Sequence, residues 1–206
     1  MDNNTPIIEV KIIRMKAQGM ERVPYDSSLI EFVEYEAGLR RLAYKNTEIK
    51  VDESFFDDSD MNSEYYLTVV YDKITNTPLL SSRYYYDKSL IEKYLKGDKS
   101  ESPILEYNQK KFELNDYAQV FLADRLSGNI SNATYRKHRS IIFSSYYREL
   151  VKHNKNSYLL LMVRKALGNK QFLRYIEMGF VHIGSTLHKG REHNIIIGDL
   201  KRANNV

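Results

Sequence analysis

At 206 residues, with 42% hydrophobic and 28% charged residues, the chain has the composition of one compact globular domain, which excludes a disordered or fibrous protein. It has no cysteine, which excludes a disulfide framework, a thiolate nucleophile and a sulfur-based zinc site, and a reducing, cytoplasmic setting is expected. The 31 basic and 27 acidic residues leave a net charge of +4, too mild for a dedicated nucleic-acid binder but suited to anionic ligands.

The opening MDNNTPIIEVKIIRMK lacks the basic-then-apolar order of a signal peptide, and no apolar run is long enough to span a bilayer. Ile8, Val10 and Ile12 alternate with polar or opposite-face residues, which predicts a first strand over residues 7–16, followed by a turn from Gly19 to Pro24. Ser28 and Glu31 match a capping box. Leu29, Phe32, Val33, Leu39, Leu42 and Ala43 supply an apolar face, predicting a helix over 28–44 with a break at Gly38. The acidic stretch 48–64 reads as a solvated loop. It is not a calcium loop, because Ser63 and Val69 stand where glycine and the bidentate glutamate are needed.

Tyr65–Asp72 and Pro78–Tyr86 flank the turn 73–77 and predict an antiparallel hairpin. A helical piece near Leu90–Leu95 follows, then a polar connection through Pro103 and a strand from Tyr117 to Asp124 that ends at Arg125 and the turn 127–129. Ile142, Tyr146 and Leu150, with Phe143, Tyr147 and Val151, repeat every four residues and predict a helix over 134–153. Tyr158–Val163 is an unbroken apolar run short enough for a buried strand. A helix over 169–178 stops at Gly179, and strands over 180–187 and 193–200 close the chain. Residues 1–200 read as a single domain and 201–206 as a frayed tail.

The order β-α-β-β-(α)-β-α-β-α-β-β resembles the GCN5-related N-acetyltransferase (GNAT) superfamily. So does Asn169-Lys170-Gln171-Phe172-Leu173-Arg174-Tyr175-Ile176-Glu177-Met178-Gly179-Phe180, which is similar to the family's asparagine, tyrosine and glycine-phenylalanine signature. The resemblance implies an α/β (α+β) acyl-CoA N-acyltransferase fold, with a mixed central sheet flanked by helices and splayed open at its middle. It also implies an acyl group moved from acetyl-CoA or a longer acyl-CoA to the amine of a small acceptor by direct attack, with no metal. Such a reaction needs an aligned, deprotonated amine and a proton for the leaving thiolate.

In that scheme Tyr175 is the proton donor. Asp124, ending the strand that lines the expected site, is the base, directly or through water, or else an ion-pair partner of a basic neighbour. The coenzyme's polar end would lie against Leu126, Arg136, Lys137, His138, Arg139, Ser140 and Asn169. Arg139 and Ile141 occupy the positions where the family carries small residues. Two arrangements follow: the cations Arg136, Lys137 and Arg139 contact phosphate themselves, or the donor is held as an acyl chain on acyl-carrier protein.

Leu39-Arg40-Arg41-Leu42-Ala43-Tyr44, Asp52, Asp57, Arg83 and Asp124-Arg125 resemble the acyl-homoserine-lactone synthases and N-acyl amino acid synthases. Leu122 replaces the glutamate of the lactone synthases and Asp124 their serine, which speaks against lactone synthesis and leaves long-chain N-acylation open. Arg83 and Arg125 would hold an acceptor carboxylate by forked hydrogen bonds, or staple the loop to the sheet. His188 and His193 flank a hairpin tip without a third ligand and read as exposed. Two other classes are a catalytically degenerate protein of the same fold that binds an acyl ligand or a partner, and a nucleic-acid module using Arg136–Arg148 and Lys189–Arg202. The oligomeric state is not encoded in any motif.

Overall fold

A computed structural model describes residues 5–18, 21–44, 64–99, 101–165, 169–188 and 190–201. The acidic stretch read as a loop lies almost wholly outside them, as does the tail from 202. In chain order the elements are β1 (Ile8–Gln18), β2 (Glu21–Pro24), α1 (Ile30–Tyr44), β3 (Tyr65–Asp72) and β4 (Thr77–Tyr85). They continue with α2 (Lys88–Lys96), β5 (Glu106–Tyr107), β6 (Lys110–Lys111), β7 (Val120–Gly128) and α3 (Ala133–His153). The last are β8 (Tyr158–Arg164), α4 (Asn169–Glu177), β9 (Val181–His188) and β10 (Arg191–Asp199). The fold class is a large, mostly antiparallel sheet flanked by helices. The contacts cluster into two compact units, 1–84 with 125–153 and 85–124 with 154–206.

In the first unit the strand order is β2-β1-β3-β4, antiparallel throughout. Ile13, Met15, Leu67 and Val69 leave one face and are almost fully buried, and Phe32 of α1 packs 5.2 Å from Tyr71 on that side. Tyr66, Ser82 and Tyr84 leave the other face, towards α3. There the Ser82 hydroxyl donates to Tyr146 Oη at 2.9 Å and Tyr84 Oη lies 3.0 Å from His153 Nδ1. Burial on both faces explains why β3 is apolar along nearly its whole length instead of alternating.

Several local expectations change. Asp26, not Ser28, opens the first helical turn, accepting from Ser28 N at 3.0 Å and Ser28 Oγ at 2.7 Å. α1 runs through Gly38 without a break, and Leu42 is exposed. Residues 21–24, read as turn, pair with β1. β5 and β6 form a small hairpin in the stretch read as a connection. β7 begins at Val120 and continues through the expected turn to Gly128. Under α1, Glu36 and Arg40 form a buried ion pair one helical turn apart.

On β1, Lys11 lies 2.8 Å and Lys73 3.1 Å from the Glu9 carboxylate. Their hydrogen bonds, that of Lys11 foremost, hold its pKa at about 2 instead of 4.5. A depressed carboxylate stabilises the fold above its unfolded value and loses that contribution as pH falls through the folded one. The melting-temperature gap between the native chain and Glu9→Gln should therefore close as pH drops from 4.5 to about 2. A gap constant across that range would contradict the assignment.

In the second unit the order is β7-β8-β10-β9. β7 and β8 are parallel, and the other two pairs are antiparallel. α2 lies on one face: Thr186 Oγ1 donates to the Lys96 carbonyl at 3.2 Å, and Asp98 N to the Leu187 carbonyl at 2.7 Å. α4 lies on the other, where the Phe180 ring fills the space over Gly198. Gly97 ends α2 with φ +62°, and a Cβ there would stand 2.0 Å from the Leu187 carbonyl oxygen. Strain and a backbone clash coincide, so Gly97→Ala should cost about 2 kcal/mol in urea denaturation.

Candidate functional site

In the second unit, β7 and β8 pair in parallel. The described pairs run from Val120↔Tyr158 to Ala123↔Leu161, four residues of the nine in β7 and the seven in β8. The ladder starts firmly: Tyr158 N donates to the Gln119 carbonyl at 2.9 Å, and Ser157 Oγ to Gln119 Oε1 at 3.1 Å. Next after the described pairs β7 carries Asp124, whose backbone is strand and whose side chain lies outside the described residues. The same is true of Arg125 on the first unit.

α4 forms because Phe172, Tyr175 and Ile176 recur at helical spacing, and it ends at Gly179 with φ +89°, the left-handed stop that glycine permits. Tyr175 is 5% exposed, and its ring meets Phe180 edge-on at 5.3 Å. On β10 the residues alternate, so Gly198, against which Phe180 packs, and His193 leave opposite faces. Tyr175 therefore belongs to the face opposite α2. Asn169 begins α4, its side chain outside the described residues.

In the first unit, α3 carries the segment expected at the donor's polar end. Asn132 caps it, accepting from Tyr135 N at 3.0 Å. Arg136 Nη1 donates to the Ile130 and Ser131 carbonyls at 3.0 and 2.8 Å, which braces the entry to the helix. Arg139 lies over the Tyr135 ring at 5.2 Å, and Lys137 and Ser140 are exposed. His138 interrupts α3 with φ −114° and ψ 22°, a kink that the helical periodicity of 134–153 gave no sign of. Leu126 is half-buried on β7.

Arg83 is 2% exposed on β4, with its guanidinium 5.5 Å over the Tyr65 ring. The histidines of the last hairpin are not exposed as expected. His188 stacks on Tyr94 at 5.2 Å, and His193 is half-buried, with burial lowering its pKa from 6.5. Among the described residues no group of acidic, histidine or cysteine side chains is placed to hold a metal, and no helix is long and apolar enough to cross a membrane.

No family model and no curated protein matches the sequence. Solved structures do resemble it. The AHL synthase LasI is 15% identical, with a TM-score of 0.57 over 95% of this chain and 91% of that one. FeeM, an N-acyl amino acid synthase from uncultured soil microbes, is 11% identical, with a TM-score of 0.55 over 98% and 95%. The chain has the GNAT acyltransferase fold. NAA60 of Arabidopsis thaliana, solved in complex with acetyl-CoA, shares that GNAT fold at 13% identity and a TM-score of 0.52 over 94% and 98%. In GNAT order, β7 and β8 are the central parallel pair and α4 is the last helix.

Proposed function

We propose that this GNAT-fold chain is an N-acyltransferase that moves an acyl group from acyl-CoA, or from acyl-carrier protein, to the amine of a small acceptor by direct attack. The observation that carries the reading is the parallel β7–β8 ladder, with four pairs among the described residues, and the Tyr175 helix on one face of the same unit. In this reading the two strands part beyond those pairs and leave backbone N–H and C=O groups that an extended pantetheine arm can meet with its own amides.

In this reading the amine attacks the thioester carbonyl, the carbon–sulfur bond breaks, and Tyr175 delivers its proton to the leaving thiolate. Asp124 takes one proton of the acceptor ammonium, directly or through water, before attack, and the second proton that the nitrogen sheds as the amide forms restores Tyr175. Lys137, His138, Arg139 and Ser140 are the residues we assign to the donor's polar end, with Leu126 and Asn169, and Arg136 shapes the turn before α3. Arg125 contacts the acceptor. Acyl-CoA and acyl-carrier donors of graded chain length, each assayed for acceptor-dependent thiol release, test the proposal. Release from at least one donor is expected, and none from any donor would refute it.

A second reading, a binding protein of the same fold without turnover, draws support from the same helix. Arg136 is already engaged by two carbonyls, and the Tyr135 N–H by Asn132. Retention of an acyl donor without thiol release would favour it.

A further inference from the structure

The chain has neither cysteine nor tryptophan, and it has 17 tyrosines. Thiols and indoles are the side chains that most readily surrender a single electron. Without them an oxidising equivalent settles on a phenol, because methionine reacts instead by gaining an oxygen. Packing then decides which phenols react with each other.

Three tyrosines of the second unit meet at the start of the β7–β8 ladder. Tyr117 precedes β7, Tyr158 opens β8, and Tyr107 reaches them from β5. Ring centroids are 4.8 Å apart for Tyr117 and Tyr158, 6.2 Å for Tyr107 and Tyr117, and 6.3 Å for Tyr107 and Tyr158. Phe112 stacks on Tyr117 at 4.9 Å, and Lys88 Nζ donates to the Tyr117 carbonyl at 3.2 Å, which fixes that residue from two sides. Tyr117 and Tyr158 are half-buried, and neither hydroxyl has a hydrogen-bond partner among the described residues, so each phenolic proton can pass to water. Lys201 Nζ, 5.9 Å over the Tyr158 ring, favours loss of that proton over a cationic ring.

The closest pair is also the one with suitable geometry. The Tyr117 and Tyr158 planes meet at 75°, so the rim of one ring is turned to the other. Tyr66 and Tyr84 of the first unit stack instead within 7° of parallel, with Tyr84 fully buried and its hydroxyl 3.0 Å from His153 Nδ1. A bond between two phenols joins their rims side by side, which an enclosed parallel stack does not offer.

We propose that Tyr117 and Tyr158 are an oxidative cross-linking site, where a one-electron oxidant joins the two rings as dityrosine. Each phenol gives one electron to the oxidant and its O–H proton to water. The two phenoxyl radicals pair their electrons in a new bond between the carbons ortho to oxygen, and the hydrogens on those carbons move to the oxygens, which become hydroxyls again. With hydrogen peroxide acting through a haem peroxidase, two phenols and one peroxide give one dityrosine and two waters. The link ties the segment before β7 to the first residue of β8 and restricts the unfolded chain as any such tie does. It is independent of the acyl-transfer reading.

The full chain is treated with a haem peroxidase and limiting hydrogen peroxide and, in parallel, with a photo-excited ruthenium complex and persulfate, which needs no enzyme docking. The monomer is then separated from cross-linked dimers and digested with trypsin. Tyr117 and Tyr158 fall in peptides 112–125 and 156–164, each with a single tyrosine. These should appear joined, two hydrogens lighter than their sum. Tyr117→Phe and Tyr158→Phe, which keep the ring and break no hydrogen bond among the described residues, should each abolish the joined peptide, and Tyr107→Phe should retain it. Unfolding the chain in urea before oxidation should abolish the preference. Absence of the joined peptide under both oxidants, an equal yield of links to the Tyr107 peptide 100–110, or an equal yield from the unfolded chain would overturn the site.

Discussion

Replacing Tyr175 by phenylalanine should lower acceptor-dependent thiol release about a hundredfold in kcat, the usual contribution of one positioned proton donor. The KM for the donor should hardly move. The ring is 5% exposed and packs on Phe180, and phenylalanine keeps that contact, so a merely structural role predicts a small change in melting temperature and nothing in kcat. A donor role predicts the reverse. It also predicts that thioesters with more acidic thiols, whose thiolates leave without protonation, suffer least from the substitution. Equal losses across leaving groups, or full activity in the variant, would remove Tyr175 from the chemistry.

The largest stability effect is expected at Glu36. Glu36 and Arg40 are 5% and 3% exposed, and the ion pair is enclosed beneath α1. Glu36→Gln keeps the shape and removes the Glu36 charge from beside the buried Arg40 guanidinium, at a cost of about 3 kcal/mol in denaturant unfolding. Replacing both partners by Leu and Met should recover most of that loss, because two desolvated charges barely offset their own burial. A double variant no better than the single one would mean that the pair contributes net stability.

The sequence carried the long elements well. The β3–β4 hairpin was legible from aromatic and β-branched runs around a turn, and α4 from Phe172, Tyr175 and Ile176 before Gly179. Strands of two to four residues, such as β2, β5 and β6, are too short to display a period of two, and their pairing depends on partners elsewhere in the chain. The Asp26 cap lies ahead of the apolar repeat and was masked by a competing Ser28–Glu31 pattern. The Tyr117–Tyr158 contact had no linear signal at all. The two residues are far apart in sequence, and only the pairing of β7 with β8 brings them together. The hairpin histidines misled for the same reason: their exposure was inferred from a nearby turn, whereas Tyr94 of α2, from a distant segment, stacks on His188, which in turn meets His193.

The parallel direction of β7 and β8 also constrains how the molecule is made. Strands running the same way cannot be joined by a tight turn, and here the whole of α3 intervenes. On the ribosome, β7 must therefore wait until that helix and β8 have emerged, its backbone exposed meanwhile to neighbouring nascent chains.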